Sequence, residues 1–227
     1  MCGMARHCRW WIATALLAVV CYVVLWLGCA LHWAWLTTMD YAVLHPLHAF
    51  GVKHPAWVRL WDVFCSVFSP EGFRLLGAAA VVVAVLRRNL RVILFLLATI
   101  ELGGVPAQIA KHLVNRQRPV GAMAASASSA FPSGHAVAAM VGVLALLTVF
   151  AGMFSHRTRS GMIMLGVMLV LAVGLGRLAL NVHYPSDVLA GWALGYLWYL
   201  GWLLVIRPVG PARAAAQDNT PEAFTGG

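Results

Sequence analysis

Six long apolar runs separated by short polar segments dominate the hydropathy pattern of the 227-residue chain. The runs cover residues 10–36, 73–86, 91–110, 135–154, 162–180 and 185–206. All but the run 73–86 are long enough, at about 1.5 Å per residue, to cross a hydrocarbon layer of about 30 Å as α-helices. A helix also satisfies its own backbone hydrogen bonds in lipid. The pattern therefore predicts an all-α fold, a six-transmembrane helix bundle.

The connection between the first two runs, residues 37–72, is the longest polar segment and is rich in aromatic residues. Within it, apolar side chains recur every three or four positions at Trp57, Leu60, Trp61, Phe64 and Phe68. This spacing predicts an interfacial amphipathic helix between spans one and two. Such a helix could guide a lipid to a site, or it could belong to an aromatic belt that only anchors the bundle.

The composition supports a membrane protein. Hydrophobic residues make up 62% of the chain and charged residues 10%, and the mean hydropathy is +0.82. We expect one membrane domain over residues 1–206 and a disordered cytoplasmic tail over residues 207–227, which lacks periodicity. The net charge of +9 does not indicate nucleic acid, because the basic residues are scattered at span ends and form no continuous face.

The basic residues also predict the orientation in the inner or plasma membrane. One side carries nine arginines, at positions 6, 9, 87, 88, 91, 157, 159, 207 and 213. The other side carries seven basic residues, at positions 53, 59, 74, 111, 116, 118 and 177. The positive-inside rule therefore predicts that both termini are cytoplasmic and that residues 111, 118 and 177 face the extracytoplasmic side.

The third run contains an acid and a potential break. Gly103-Gly104 and Pro106 predict close packing and a kink. Glu101 lies well inside the apolar stretch, about three helical turns from Lys111. We interpret Glu101 as a residue that supports a site indirectly, or as a protonated, hydrogen-bonded acid of the core.

The fifth and sixth runs are joined by the polar segment 176–187, which contains Arg177, His183 and Asp187. A carboxylate four residues after a histidine can accept a hydrogen bond from one ring nitrogen, which fixes the tautomer and leaves the other lone pair free. Pro185 suits the first position of the next helix, and Asp187 suits its first turn. The pattern predicts a nucleophilic histidine; the alternative is a salt-bridged loop histidine beside a helix-capping aspartate.

Two further polar motifs lie at span ends. In Phe131-Pro132-Ser133-Gly134-His135, the serine can cap the following helix, whose first free N–H groups would form an anion site next to His135. Lys111 and Arg118-Pro119 place two cations near the end of the third run. Cations at a membrane edge are ordinarily anchors whose stems lie along apolar surface, and this alternative stays open for the pair taken alone.

Together, the three motifs resemble the three-part signature of the type 2 phosphatidic acid phosphatase superfamily. They are Lys111 with Arg118-Pro119, Pro132-Ser133-Gly134-His135, and Arg177 with His183 and Asp187. The family consists of metal-independent lipid phosphatases related in active site to vanadium haloperoxidases. The signature covers residues 111–187, and the six-run layout extends the resemblance to about residues 10–206. One departure is visible, because the family usually has serine before the arginine of the third motif and this chain has Gly176.

The resemblance implies phosphoryl transfer through a phosphohistidine, with no metal ion and no cofactor. It makes His183 the nucleophile, held by Asp187, and His135 the acid that protonates the leaving oxygen and then activates water. The residues that would bind the phosphoryl oxygens are Lys111, Arg118, Arg177, Ser133 and Gly134.

We expect the substrate to be a membrane lipid phosphate, and we favour undecaprenyl (polyprenyl) diphosphate of the cell envelope because the chain lacks a soluble domain to recognise a large head group. Alternatives are a phosphatidylglycerol phosphate or phosphatidic acid phosphatase, and a phosphotransferase that passes the group to a lipid acceptor. A non-enzymatic transporter is the remaining alternative, but the sequence has no internal repeat to indicate one. The sequence predicts no oligomeric state.

Overall fold

A computed structural model of the protein describes residues 2–125 and 128–208, with side chains from residue 9 onward. Within these ranges the chain forms nine α-helices, α1 to α9. In order they are Cys2–Ala30, Ala34–Lys53, Pro55–Val67, Pro70–Leu86, Leu90–Leu96, Val105–Val114, Gly134–Phe150, His156–Ala179 and Pro185–Ile206. Residues 209–227 of the predicted tail lie outside the described part of the chain.

Six helical segments in the described part are long and apolar enough to cross a membrane. They are Arg9–Ala30, Pro55–Leu86, Leu90–Val114, Gly134–Met153, His156–Ala179 and Pro185–Ile206. The prediction of an all-α bundle with six spans is thereby confirmed. The second segment contains both α3 and α4, which explains why the apolar run at 73–86 alone looked short.

The connection between the first two spans is more helical than predicted. The first apolar run does not continue to residue 36, because His32 adopts a left-handed backbone with φ of 51° and interrupts the helix after Ala30. The 20-residue helix α2 follows and buries Leu36, Asp40, Leu44 and Gly51. They are four, four and seven residues apart and so lie on one face of the helix. Polar residues lie between them in the sequence, so the hydropathy pattern does not predict this face.

The predicted amphipathic helix over residues 57–68 is observed as α3, Pro55–Val67. Its aromatic side chains stack edge to face, with ring centroids 5.4 Å apart for Trp57 and Trp61 and 5.6 Å apart for Trp61 and Phe64. Its position in the membrane interface stays a prediction.

The third span is interrupted at the position where Gly103-Gly104 and Pro106 predicted a kink. Helix α5 continues into a π-helical turn, Leu97–Glu101, and α6 begins only at Val105. A β-carbon on Gly103 would lie 2.5 Å from the carbonyl oxygen of Thr99, so this turn has room only for glycine. The Oε1 atom of Glu101 is buried and has no hydrogen-bond partner among the described residues.

Helices α7 and α9 pack closely at the centre of the bundle. A β-carbon on Gly191 would lie 2.7 Å from the carbonyl oxygen of Ser133, and one on Gly195 would lie 2.9 Å from that of Val137. Glycine at both positions lets the two backbones approach. The backbone N–H of Ser133 then donates to the carbonyl oxygen of Asp187 at 3.0 Å, which joins the start of α7 to the start of α9.

Candidate active site

The segment that carries His183 is a short turn between α8 and α9. Asn181 adopts a left-handed backbone with φ of 54°, which asparagine tolerates better than most residues. Its side chain donates to the carbonyl oxygen of Val120 at 2.8 Å and so fastens the turn to the segment after α6. Pro185 then opens α9, and Asp187 lies in its first turn, where Oδ2 accepts from the backbone N–H of Tyr184 at 2.8 Å.

His183 is buried between a carboxylate and a cation. Its Nδ1 atom lies 3.6 Å from Oδ2 of Asp187, slightly beyond hydrogen-bond length, and its Nε2 atom lies 3.3 Å from Nη1 of Arg118. A guanidinium can only donate, so the geometry favours the tautomer with the proton on Nδ1, towards Asp187, and the lone pair on Nε2. The pKa of His183 is lowered to about 4, mainly by burial and also by the cations of Arg177 and Arg118, against the opposing effect of Asp187.

Two of the predicted phosphate-binding cations are held in place by the segment between α6 and α7. The Nζ atom of Lys111 donates to the carbonyl oxygen of Ser129 at 2.6 Å and to Oγ of Ser128 at 3.0 Å. Arg118 donates from Nε to the carbonyl oxygen of Ser128 at 2.8 Å and from Nη1 to that of Val182 at 2.6 Å. Burial and the neighbouring Arg177 lower the pKa of Arg118 below its usual value. The segment between α6 and α7 therefore holds both cations, and Arg118 also contacts the turn that carries His183.

Arg177, near the end of α8, is the third predicted cation. It is only 6% exposed, and its Nε–H has no hydrogen-bond partner among the described residues. A buried charged donor without a partner is costly, and an anion bound in the cavity would satisfy it.

The predicted residues at the start of α7 divide into two groups. Gly134 and His135 line the cavity that also contains Arg177 and His183. Ser133 is fully buried. Its Oγ accepts from the backbone N–H of Ala136 at 3.5 Å, and its own backbone N–H donates to the carbonyl oxygen of Asp187. Ser133 therefore caps α7, and of the three residues only Gly134 and His135 are part of the cavity lining.

These side chains meet in one open cavity of about 780 Å³. Its lining includes Lys111, Arg118, Gly134, His135, Arg177 and His183, together with Asp62, Cys65, Glu71 and Gln108. A second cavity of about 470 Å³, among α4, α7 and α8, is lined by apolar residues and contains none of the predicted site residues. In the described part of the chain, no three His, Cys, Asp or Glu side chains converge as a metal site would require.

The glycine that departs from the family pattern allows α3 to form one wall of the cavity. A β-carbon on Gly176 would lie 2.6 Å from Sγ of Cys65 and 2.8 Å from Cε3 of Trp61. Without a side chain there, α3 packs directly on α8, and Cys65 lies against both His135 and Arg177. The space that a serine would fill is taken by α3.

Two charged residues at the site were missed by the sequence reasoning, Arg116 and Asp40. Arg116 forms ion pairs with Asp187 at 2.6 Å and with Asp40 at 2.7 Å. The sequence contains one usable signal, because a carboxylate on a buried helical face needs a partner. That signal depends on recognising α2 as a helix.

A family model and two known proteins match parts of this chain. The family model of the PAP2 superfamily matches residues 91–210, which is 120 of the 227 residues and includes every predicted site residue. Over 87 residues the chain is 32% identical to an undecaprenyl-diphosphatase from Sulfolobus acidocaldarius, covering 38% of each protein. Over 138 residues it is 30% identical to a lipid A 1-phosphatase from Rhizobium johnstonii, covering 56% of this chain and 53% of that protein. The matched regions thus span about two fifths to one half of these relatives.

The fold also resembles a solved structure, the transmembrane PAP2-type phosphatidylglycerolphosphate phosphatase from Bacillus subtilis. The TM-score is 0.71 at 18% sequence identity, with 92% of this chain and 98% of the other covered. The family model covers more than half of the chain and the bundle has the same fold, so the protein belongs to the PAP2 superfamily.

Proposed function

We propose that this protein is a membrane lipid phosphatase that transfers a phosphoryl group first to His183 and then to water. The observation that carries the proposal is the convergence of one buried histidine, three cations and a second histidine on a single cavity. Such an arrangement suits a transition state whose negative charge is spread over several phosphoryl oxygens.

In the first step, Nε2 of His183 forms a bond to phosphorus while the bond to the leaving oxygen breaks, and His135 donates a proton to that oxygen. In the second step, His135 accepts a proton from water, the water oxygen attacks phosphorus, and the phosphorus–nitrogen bond breaks. Inorganic phosphate leaves and both histidines return to their starting states. Asp187 stabilises the positive charge that develops on His183.

The cations would act on the phosphoryl oxygens throughout this sequence. Lys111 and Arg118 are fixed by backbone carbonyls, so they need little reorganisation when the substrate binds. Arg177 has an unused Nε–H for an anion. A charge-assisted hydrogen bond contributes about 1.5 to 3 kcal/mol, and loss of one preorganised donor costs about 10²-fold in rate.

For the substrate we propose a polyprenyl diphosphate such as undecaprenyl diphosphate. The cavity of about 780 Å³ is within the about 300 to 1,000 Å³ typical of small-molecule sites and exceeds what one phosphoryl group needs. Phosphatidylglycerol phosphate and phosphatidic acid are the alternatives, since the motif residues would bind the phosphate group and do not distinguish the lipid that carries it. One matched relative bears the name undecaprenyl-diphosphatase, which favours the first choice.

Phosphate release from purified protein in EDTA tests the activity. Undecaprenyl diphosphate, phosphatidylglycerol phosphate and phosphatidic acid are compared by kcat/KM in one detergent. A preference of about tenfold or more for either glycerolipid, about 1.4 kcal/mol, would overturn the polyprenyl proposal. A phosphorylated lipid product in place of inorganic phosphate would identify a phosphotransferase.

Labelling tests the role of His183. Brief exposure to a ³²P-labelled substrate should label the wild-type protein, and His183→Gln should abolish the label. His156→Gln, an exposed residue at the start of α8 far along the chain from the site, is the matched control and should label normally. Equal labelling of wild type and His183→Gln would contradict the assignment.

A further inference from the structure

The carboxylate of Asp187 is held on both oxygens. Oδ2 accepts from the backbone N–H of Tyr184 at 2.8 Å and faces Nδ1 of His183 at 3.6 Å. Oδ1 accepts from Nη1 of Arg116 at 2.6 Å. Asp187 is completely buried, so these contacts replace all of its hydration.

Arg116 is itself held by Asp40, a residue of α2 that is 1% exposed. The Nη2 atom of Arg116 donates to Oδ2 of Asp40 at 2.7 Å, and Oδ1 of Asp40 accepts from the backbone N–H of Ser186 at 2.9 Å. The hydroxyl of Ser186 donates to Oδ2 of Asp40 at 2.6 Å and accepts from Nη1 of Arg116 at 2.7 Å. The guanidinium also lies 4.0 Å from the ring centroid of Tyr184. Three chain segments, α2, the turn after α6 and the start of α9, are thus joined around one guanidinium.

Burial would lower the pKa of Arg116, but the carboxylates of Asp187 and Asp40 hold it above its usual value. Arg116 therefore keeps its charge at any working pH and shares it between two carboxylates. This sharing determines how much of the negative charge on Asp187 is left to act on His183. The other charged or titratable groups that face His183 are Arg118 beside it, Arg177 of α8 and His135 of α7.

We propose that Arg116, held by Asp40, is a positioning residue for the phosphoryl transfer. Arg116 fixes the orientation of the Asp187 carboxylate and offsets part of its charge, so that His183 stays neutral and keeps its Nε2 lone pair down to a lower pH. The proposal rests on the proposed function only for its kinetic consequence; the effect on the imidazole does not require turnover.

The charges predict different effects on His183 for removal of Arg116 and for removal of Asp40. If Arg116 is removed, the carboxylate of Asp187 acts unopposed on Nδ1 of His183, which favours the imidazolium and raises its pKa. If Asp40 is removed, Arg116 is left with one carboxylate, so the pKa of His183 stays constant or falls further. If Arg116 and Asp40 only hold the fold together, removing either one should lower activity and stability in the same way and should not shift the pKa of His183 in different directions.

The test uses full-length protein in nanodiscs with three variants. Asp40→Asn tests the prediction for removal of Asp40. Arg116→Lys retains the positive charge but can form only part of the bridge between the two carboxylates. The double variant Arg116→Gln/Asp40→Asn removes one positive and one negative charge together. It leaves only Asp187 without its ion-pair partner, whereas Arg116→Gln alone would leave both Asp40 and Asp187 unpaired and would be more destabilising. Thermal unfolding of each variant shows that it is folded.

The first readout is ¹⁵N NMR of histidine-labelled protein, with the His183 signals identified by their absence from His183→Gln. The double variant should raise the pKa of His183 by about one or more, Asp40→Asn should leave it constant or lower it, and Arg116→Lys should fall between the double variant and wild type. A pKa of His183 that is the same in wild type and the double variant, or higher in Asp40→Asn, would overturn the proposal, whether or not the protein is a phosphatase.

The second readout is the pH dependence of kcat/KM with one substrate, so that ionisation of the substrate is common to all variants. The acid limb of the double variant should move upward by the same amount as its NMR pKa, with activity recovering at higher pH. A loss that is uniform at every pH would show that Arg116 and Asp40 only hold the fold together.

Discussion

The Sγ atom of Cys65 lies where a side chain on Gly176 would have to go, because a β-carbon at that glycine would be only 2.6 Å from the sulfur. The contact joins α3 to α8 directly beside Arg177. Cys65 of α3 therefore occupies the space that the serine usual in the family would need at position 176.

We expect Gly176→Ser to destabilise the protein by about 1 to 3 kcal/mol, because the added atoms must displace Cys65 and Trp61 in a packed interface. The measurement is the thermal unfolding midpoint in detergent. Gly161→Ser on the same helix is the control, since a β-carbon there meets nothing within 4 Å. Adding Cys65→Ala to Gly176→Ser should restore part of the loss. Equal midpoints for the Gly176 and Gly161 variants would show that α3 does not pack on α8 in this way.

Arg177→Gln should lower kcat/KM by about 10²-fold or more, because it removes the buried cation that we propose binds the phosphoryl group. It should also weaken the stabilisation that inorganic phosphate gives to the folded protein, which is measured as the rise of the unfolding midpoint with phosphate concentration. Arg159→Gln, an exposed position at the other end of α8, should change neither quantity. If phosphate raises the unfolding midpoint of Arg177→Gln as much as that of wild type, the anion does not bind at Arg177.

The free energy of unfolding should rise with pH between about 4 and 6.5. The pKa of His183 is about 4 in the folded protein because the ring is buried, against about 6.5 in an unfolded chain, so the unfolded state binds the extra proton in this interval. A pKa difference of about 2.5 corresponds to about 3 kcal/mol, which is gained above pH 6.5 and lost below pH 4.

Unfolding midpoints at pH 4.5 and 7.5 measure this effect. Wild type and His156→Gln should both gain stability at the higher pH, and His183→Gln should gain clearly less because it cannot take up the proton. Parallel pH curves for wild type and His183→Gln would contradict the assignment of the low pKa to His183.

The site should open to the extracytoplasmic side, as the nine arginines at the opposite span ends predict. With native cysteines removed, Val120→Cys should react with an impermeant thiol reagent in intact cells, since Val120 is 92% exposed in the segment beside the cavity. Cysteine in place of the exposed Arg159, between the fourth and fifth spans, should react only after lysis. The reverse pattern would invert the topology and change the pool of accessible lipids.

Local chemistry explains why much of the fold and site could be predicted from the sequence. Each apolar run becomes a helix because lipid leaves the backbone no other partner. Ser133 begins α7 and Pro185 begins α9 because a serine cap and a proline at the first position act on their nearest neighbours in the chain. These two helix starts place His135 and Asp187 at defined positions, which is why the motifs could be interpreted without coordinates.

The charged network behind His183 could not be predicted in the same way. Asp40 and Arg116 are separated by 76 residues, and Arg116 and Asp187 by 71. Desolvation requires that a buried carboxylate has a partner, but it does not specify which of the 16 basic residues will be that partner. The choice depends on where α2 and the turn after α6 pack against α9.

The sequence by itself determined six helical spans and the three motifs, because hydropathy, capping and proline geometry act over a few residues. Only the tertiary structure decided that Arg116 bridges Asp40 and Asp187, that Ser133 lies behind the cavity, and that Cys65 fills the space beside Gly176. These contacts follow from the packing of helices distant in sequence, where the separation of backbones, measured in tenths of an ångström, determines which side chains meet.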